Sequence, residues 1–242
     1  MTVQQQLRKD GFVIVDNLYT TEEVNNIIQQ IENTDTGKTN FRKSADLFAI
    51  RQFLKEVPQV AELIFTQKVK NLLTGIMGQH YFVVKSIYFD KPGSSNWYVA
   101  YHQDLTISVD KKKELQGFIN WTQKHNQFAV QPPVQILENI TTIRIHLDDT
   151  DENNGALKVI PGSHLKKIYR PETIDWSVEQ EVDCPVKQGG IMFMKPLTLH
   201  SSGRSTNHKK RRVIHIELSS QELPGNLLWS EKEPVLFLQD QV

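Results

Sequence analysis

The hydrophobic period of the chain changes at Tyr81, and this change constrains the fold more than any other feature. Strand-like runs separated by Gly, Pro and Asn turn signals follow this point. The runs are YFVVKSIYFDKPG, WYVAYHQDLTISV, TTIRIHLDD, ALKVIPGS, GGIMFMKPLTLHSS and RRVIHIELSS. Before Tyr81, a short strand (GFVIVDN) is followed by a helix-start signal at Thr20 and by an amphipathic helix with Val69, Leu72 and Leu73 on one face. Helices followed by strands predict an α+β protein with a mainly β core, an antiparallel sandwich or barrel.

The whole chain, residues 1–242, is predicted to form one domain, because it contains no internal repeat and no low-complexity linker. The polar, proline-marked stretch 111–135 is interpreted as a long functional loop or lid. Side chains in it that could close over a site are Trp121, His125, Phe128, Pro132 and Pro133.

The charge balance gives no reason to expect nucleic acid or an anionic membrane as a partner, since 28 basic residues face 28 acidic ones. The basic run HKKRR at 208–212 leads straight into an apolar strand, which favours a strand start over a nucleic-acid patch. The one cysteine, Cys184, excludes an internal disulfide and a cysteine-based zinc site. No apolar leader or stretch of about 18 apolar residues is present. A cytoplasmic protein is therefore expected, and its oligomeric state stays open.

Two His-x-Asp pairs, His102 with Asp104 and His146 with Asp148, raise the question of a metal site. Side chains two positions apart on a strand leave from the same face, so each pair could bind one metal ion or make hydrogen bonds in a core. A single pair is weak evidence. Both pairs cannot be the inner ligands of one ordinary site.

Two later strands carry polar side chains on one face and apolar side chains on the other. The polar faces carry Arg144, His146 and Asp148 on one strand, and Arg211, His215 and Glu217 on the other. Such faces belong either to a half-exposed sheet in water or to a small barrel whose lumen is a polar pocket. Alternation alone leaves both possibilities open.

An Fe(II) oxygenase site needs two histidines and one carboxylate, with positions left for a cosubstrate and dioxygen. A His-x-Asp pair supplies two ligands, and His200, at the end of GGIMFMKPLTLH, is the candidate for the third. Arg211 follows eleven positions later, and a guanidinium group suits a dicarboxylate cosubstrate. Each residue alone has an ordinary structural explanation, but their joint occurrence in this order favours the site.

Four stretches in order resemble the phytanoyl-CoA dioxygenase family of Fe(II)/2-oxoglutarate oxygenases. They are LRKDGFVIVDNLYTTEEV, HQD, DDTDENNGALKVIPGSH and LHSSGRSTNHKKRR. The resemblance implies a double-stranded β-helix, a jelly-roll or cupin-like barrel, with N-terminal helices packed outside.

The resemblance also implies roles for individual residues. In this family the metal-binding pair lies upstream of an Asn-Gly turn, which implies His102, Asp104 and His200 as ligands of Fe(II). A physical point agrees, because Asp148 runs into an acidic turn that suits a solvated strand exit. Arg211 would bind the distal carboxylate of 2-oxoglutarate, and Ser202 would add a hydroxyl donor.

Arg144 departs from the family pattern, because members place an aromatic residue beside the cosubstrate at this position. It is expected to contact either 2-oxoglutarate or an anionic group of the substrate. His146 and His215 are expected in the lumen. For three residues of the preceding strand, structural roles are favoured over a place in the cosubstrate pocket: Lys85, Tyr88 and Lys91.

The activity implied is hydroxylation of an unactivated carbon of a small molecule by O2, with release of succinate and CO2. The intact Asp104 favours hydroxylation over halogenation, which in related enzymes needs a small residue there. One alternative is a cupin-like hydrolase or isomerase with zinc or manganese, which would recruit His146 and leave Arg211 and Ser202 without a role. Another is a barrel that binds ligands without turnover.

Overall fold

The computed structural model describes residues 1–34, 41–43, 48–95, 97–124 and 127–235. Its α-helices are α1 (Val3–Asp10), α2 (Thr21–Glu32), α3 (Phe53–Glu56), α4 (Ala61–Ile64), α5 (Gln67–Met77) and α6 (Val134–Glu138). Its strands are β1 (Phe12–Val15), β2 (Phe41–Lys43), β3 (Phe48–Arg51), β4 (Phe82–Lys91), β5 (Val99–His102), β6 (Ile107–Val109), β7 (Ile119–Lys124), β8 (Gln127–Gln131), β9 (Ile140–His146), β10 (Leu157–Val159), β11 (Val182–Cys184), β12 (Ile191–Met194), β13 (His200–Ser202), β14 (Arg211–Ser219) and β15 (Glu233–Pro234). Within these ranges no helix has the length and apolar character needed to cross a bilayer.

Local sequence signals explain the first two helices. The hydroxyl of Thr20 and the carboxylate of Glu23 form a reciprocal capping box at the start of α2, as the helix-start signal predicted. Helix α1 was not predicted, although Thr2 and Gln5 form the same kind of box. Gly11 ends α1 with a φ of 81°, a left-handed conformation that glycine adopts without a steric penalty.

The chain alternates between two layers of strands, a larger sheet of eight strands and a smaller sheet of four. The larger sheet has the order β1-β12-β9-β14-β4-β3-β2, with β15 added beside β4. The smaller sheet has the order β11-β10-β13-β5. The chain passes from β9 in the larger sheet to β10 and β11 in the smaller one, returns for β12, and repeats the exchange with β13 and β14. This antiparallel alternation is that of a double-stranded β-helix, so the predicted fold is confirmed.

The outer face of the larger sheet packs against the N-terminal helices. Ile143 and Ile145 of β9 and Ile214 and Ile216 of β14 join one apolar cluster with Val24, Ile27, Val69 and Leu73 of α2 and α5. Fully burying one such side chain contributes about 1.5–3 kcal/mol. Every residue of β9 and β14 is buried, which excludes the half-exposed sheet and leaves the polar faces inside the molecule.

The prediction of a loop or lid at 111–135 was wrong. Strands β7 and β8 occupy 11 of its 25 residues and form a three-stranded sheet with β6. The polar character arises because most β7 side chains face solvent while its backbone pairs with β8. Trp121 and Phe128 pack against an apolar cluster beneath the hairpin, and Pro133 precedes α6. His125 lies outside the described residues.

A buried carboxyl group, that of Glu231, attaches the C-terminal segment to β4. Its two carboxylate oxygens accept hydrogen bonds from the backbone N–H and the hydroxyl of Ser86, and the Ser86 hydroxyl accepts one from the N–H of Leu54 in α3. Burial raises the pKa of Glu231 from its ordinary value to about 7, although the Ser86 hydrogen bonds act in the opposite direction.

We expect Glu231 to make the free energy of unfolding fall as pH rises. The proton that the folded state holds up to about pH 7 is lost from the unfolded chain near pH 4.5, so this stability is present at low pH and disappears through pH 7. Between pH 5 and 8 the free energy of unfolding of wild type should fall by about 2–3 kcal/mol relative to that of Glu231→Gln. Urea titrations at several pH values measure these free energies, and a substitution of the exposed Glu222, Glu222→Gln, is the control. Parallel pH profiles for wild type and Glu231→Gln would contradict it.

Candidate active site

Two histidines meet across the smaller sheet. His102, which ends β5, and His200, which begins β13, are direct cross-strand partners, and their ring centroids are 4.2 Å apart. The Nδ1 atom of each ring lies 2.9 Å from the carbonyl oxygen two residues earlier, that of Ala100 or Thr198. Because a carbonyl can only accept, both Nδ1 atoms carry a proton and both Nε2 atoms carry a free lone pair.

Asp104 completes a group of three. Its Oδ1 lies 3.9 Å from Nε2 of His102 and its Oδ2 lies 3.8 Å from Nε2 of His200. These distances are too long for hydrogen bonds, and the buried Oδ2 has no hydrogen-bond partner. The backbone N–H of Asp104 donates to the carbonyl of Pro196, which anchors the carboxylate beside β13. Two imidazole lone pairs and an unpartnered carboxylate oxygen form the donor set of a two-histidine, one-carboxylate iron site, so the residues fit such an ion.

The charge states of Asp104 and His200 suit a cation. Burial opposes ionisation of Asp104, but the neighbouring imidazoles and the ammonium group of Lys85 outweigh it and hold the pKa of the carboxyl well below its ordinary value. Burial lowers the pKa of His200 to about 4, against the opposing effect of Asp104. At neutral pH the carboxylate is therefore ionised and His200 is neutral, the forms in which both side chains bind metals.

A cavity of about 140 Å³ extends from these three residues along the lumen between the two sheets. Apolar walls are supplied by Ile87, Phe89, Trp97, Val99 and Leu157. Trp97 and Phe89 were not singled out in the sequence. Phe89 could have been found from period two, since it shares the parity of Lys85 on β4, whereas Trp97 precedes β5 and has the opposite parity to His102. Such a partly closed, mainly apolar cavity with convergent polar groups is typical of a small-molecule site.

Arg211 and Ser202 lie together at the other end of the cavity. Both donate a hydrogen bond to the carbonyl of Gly155, and Nη1 of Arg211 lies 3.4 Å from the hydroxyl of Ser202. Arg211 is 4% exposed, and its Nε has no hydrogen-bond partner. Burial lowers the pKa of its guanidinium to about 9, which still leaves it charged at neutral pH. The pair presents a buried positive charge and a hydroxyl to the cavity.

Arg144 belongs to a chain of hydrogen bonds on the lumen side of the larger sheet. Its Nη1 lies 3.2 Å from Nδ1 of His215, and Nε2 of His215 lies 3.2 Å from the carboxylate of Glu217. The same carboxylate accepts a 2.7 Å bond from Lys85. Burial lowers the pKa of Arg144 to about 10, so it too is cationic. In the described part of the chain, neither Arg144 nor Arg211 forms an ion pair with a carboxylate.

The second His-x-Asp pair does not act as a unit. Nδ1 of His146 lies 2.7 Å from the hydroxyl of Thr150. Asp148 instead forms two hydrogen bonds with the guanidinium of Arg212, at 2.8 and 2.9 Å. The interpretation of Asp148 as a solvated strand exit was therefore wrong, because it is partly buried in an ion pair. Both clusters of possible metal ligands found among the described residues contain Asp104, and His146 is in neither.

The three residues singled out on β4 do not all lie on the same face of the strand, since Lys85 and Lys91 have odd numbers and Tyr88 an even one. Lys85 lines the cavity, although a structural role was favoured for it. Tyr88 faces the helices and stacks on Phe53 at a centroid distance of 5.7 Å, which is a structural role. The buried Lys91 donates to the carbonyl of Gly203.

Comparisons with known proteins agree with this geometry. A family model described as Phytanoyl-CoA dioxygenase (PhyH) matches residues 7–213. The phytanoyl-CoA dioxygenase domain-containing protein 1 homolog of Caenorhabditis elegans is 22% identical over 95% of this chain and 93% of its own length. The ectoine dioxygenase of Bordetella bronchiseptica is 24% identical over 90% of this chain and 74% of its own.

Solved structures of similar fold include the epimerase SnoN in complex with Fe3+, alpha ketoglutarate and nogalamycin RO. It matches with a TM-score of 0.65 at 16% identity, over 97% of this chain and 94% of that chain. EvdO2 from Micromonospora carbonacea, complexed with 2-oxoglutarate, matches with a TM-score of 0.64 at 15% identity, over 96% of this chain and 94% of that one. At this identity the likeness establishes the shared fold.

Proposed function

Because the chain belongs to the phytanoyl-CoA dioxygenase family, we propose that His102, Asp104 and His200 bind its iron and that Arg211 binds its cosubstrate. The protein is an Fe(II)- and 2-oxoglutarate-dependent oxygenase. The observation that carries the residue assignment is the convergence of two imidazole lone pairs on a carboxylate oxygen without a hydrogen-bond partner. A buried guanidinium at the other end of the same cavity supports it.

The bound iron and 2-oxoglutarate supply the oxidising chemistry, in which dioxygen is reduced, succinate and CO2 are released and a substrate carbon is hydroxylated. The residues of the chain bind and orient the reactants. Hydrogen bonds to Ala100 and Thr198 fix the two imidazole rings with Nε2 toward the cavity. The ionised Asp104 keeps a carboxylate in the ligand set, which supports hydroxylation rather than halogenation.

Arg211 and Ser202 offer the partners that a distal carboxylate of 2-oxoglutarate needs. A guanidinium and a hydroxyl at one end of an apolar-walled cavity bind a carboxylate with charge-assisted hydrogen bonds. Phe89, Trp97 and Leu157 exclude water around the chain of the cosubstrate. The cavity volume of about 140 Å³ supports a small-molecule substrate rather than a polymer.

An anaerobic titration tests the metal ligands. Fe(II) and then 2-oxoglutarate are added to metal-free protein while the visible charge-transfer band of the chelated cosubstrate is followed. We expect the band in wild type and in His146→Gln, and its loss in His102→Ala, because His102 belongs to the cluster of possible metal ligands and His146 does not. His146→Gln is the matched control, since His146 is buried on β9 of the other sheet and its Nδ1 lies 2.7 Å from the hydroxyl of Thr150.

The other outcomes of this titration are informative. A band that disappears only in His146→Gln would show that the wrong His-x-Asp pair has been assigned. Absence of a band in wild type, together with bound zinc or manganese by elemental analysis, would favour a cupin-like hydrolase or isomerase. Absence of any bound metal would favour a barrel that binds ligands without turnover.

A further inference from the structure

We propose that Arg144 binds a negatively charged group of the substrate, and that the substrate is a small molecule carrying one oxyanion such as a carboxylate. This inference rests on the proposed function, because it assigns the second of two buried guanidinium groups once Arg211 has been assigned to 2-oxoglutarate. Three observations support it: how Arg144 is held, where it lies relative to Arg211, and the charge inside the cavity.

The hydrogen bond of Arg144 to His215 holds the guanidinium in place without neutralising it. A guanidinium can only donate, so Nδ1 of His215 accepts, and the proton of this neutral imidazole is on Nε2, where it is donated to Glu217. The negative charge of Glu217 is matched by Lys85 at 2.7 Å. Arg144 therefore keeps its full charge while it is only 8% exposed, and its Nε has no hydrogen-bond partner.

Arg144 and Arg211 lie at different positions along the cavity. Arg144 lies opposite His215 in the sheet, and Arg211 lies four residues earlier on the same strand, about 13 Å along it at the usual strand rise. Ligand atoms of His215 and Asp104 lie within 4.8 Å of one another, so Arg144 is anchored beside the iron ligands. Because 2-oxoglutarate binds iron through its keto group and adjacent carboxylate, only its distal carboxylate needs a cation. Arg211, which lines the same cavity together with Ser202, can supply this cation.

The charge inside the cavity is left unbalanced without an anionic substrate. Arg144 and Arg211 contribute two positive charges and Asp104 one negative charge, while Lys85 and Glu217 cancel. The charges of Fe(II) and of the 2-oxoglutarate dianion also cancel. One positive charge then remains on guanidinium groups that are at most 8% exposed, and an unpaired buried charge is energetically unfavourable. A neutral substrate leaves this charge unpaired, whereas a monoanion pairs it.

Ligand-detected NMR on the anaerobic protein loaded with Fe(II) and 2-oxoglutarate tests the proposal, because it measures weak binding of small probes. The probes are propanoate, methylphosphonate, and propanamide as the uncharged match of propanoate. We expect propanoate to bind wild type at least about tenfold more tightly than propanamide, since only propanoate carries the charge that pairs with Arg144. Arg144→Gln should abolish this preference, and Arg144→Lys, which keeps the charge, should restore part of it. Comparison of propanoate with methylphosphonate identifies which oxyanion the site prefers.

The affinity for 2-oxoglutarate separates failure of this proposal from failure of the proposed function. Arg144→Gln should bind 2-oxoglutarate within about threefold of wild type. If instead it loses as much affinity as Arg211→Gln, then Arg144 binds the cosubstrate and the proposal is wrong, while the oxygenase assignment stands. Wild type that binds propanoate no better than propanamide also overturns it. Wild type that does not bind Fe(II) and 2-oxoglutarate contradicts the proposed function itself.

Discussion

Asp104→Asn is expected to lower substrate-independent succinate release by about 1000-fold and to weaken Fe(II) binding in parallel. The substitution keeps the size of the side chain but removes the only carboxylate of the proposed ligand set. The loss of one charged partner at a buried site costs on the order of 4 kcal/mol, which corresponds to about three orders of magnitude. The measurements are succinate formation from 2-oxoglutarate under air and Fe(II) affinity under nitrogen.

Asp148→Asn provides the matched control, since it makes the same chemical change in the other His-x-Asp pair. Asp148 bonds Arg212 rather than facing the cavity. The control should therefore lose stability while Fe(II) binding and succinate release stay within about twofold of wild type. If Asp104→Asn retained more than a tenth of wild-type succinate release, Asp104 would not be an iron ligand.

Arg211→Gln is expected to raise the dissociation constant of 2-oxoglutarate by about 100-fold, with little change in Fe(II) affinity. The variant removes a buried charge at the end of the cavity but keeps a hydrogen-bond donor, so the loss reports the charge. Truncating one partner of a buried charged pair costs about 2–5 kcal/mol, and 100-fold lies within this range. Ser202→Ala, which removes one neutral donor, should cost about fivefold.

Arg212→Gln is the control for this measurement, because Arg211 and Arg212 are adjacent on β14 and point to opposite faces of the sheet. Arg212 pairs with Asp148 and does not line the cavity. Its loss should lower the melting temperature without changing the 2-oxoglutarate isotherm. Equal effects of Arg211→Gln and Arg212→Gln on that isotherm would mean that both act through stability, and the assignment of Arg211 would be wrong.

Much of the fold and of the candidate site could be predicted because the alternation of polar and apolar residues indicates which side chains of a strand share a face. Alternation in β9 and β14 placed Arg144 and His215 on one face, and the structure orients that face to the lumen. Alternation could not decide between a lumen and a wet surface, because that depends on the second layer of strands. The pairing of Lys85 with Glu217 could not be predicted either, since it depends on the register of β4 against β14.

The predictions that were wrong or missing have local causes. The hairpin β7–β8 was predicted as a loop because its outer strand, β7, is held by backbone hydrogen bonds to β8 and is not marked by an apolar face in the sequence. Helix α1 was not predicted, although Thr2 and Gln5 of its capping box are visible in the sequence. Asp148 was taken as solvated because its acidic neighbours are, while its partner Arg212 is distant in sequence.

The direct pairing of His102 with His200 also bears on how the enzyme acquires its metal during synthesis. The two histidines are separated by roughly 100 residues, and closing so long a loop is among the slower steps of folding. A growing chain that has exposed His102 and Asp104 still offers only two of the three proposed ligands until β13 has left the ribosome and paired with β5. With this ligand set, tight binding of iron is coupled to completion of the smaller sheet.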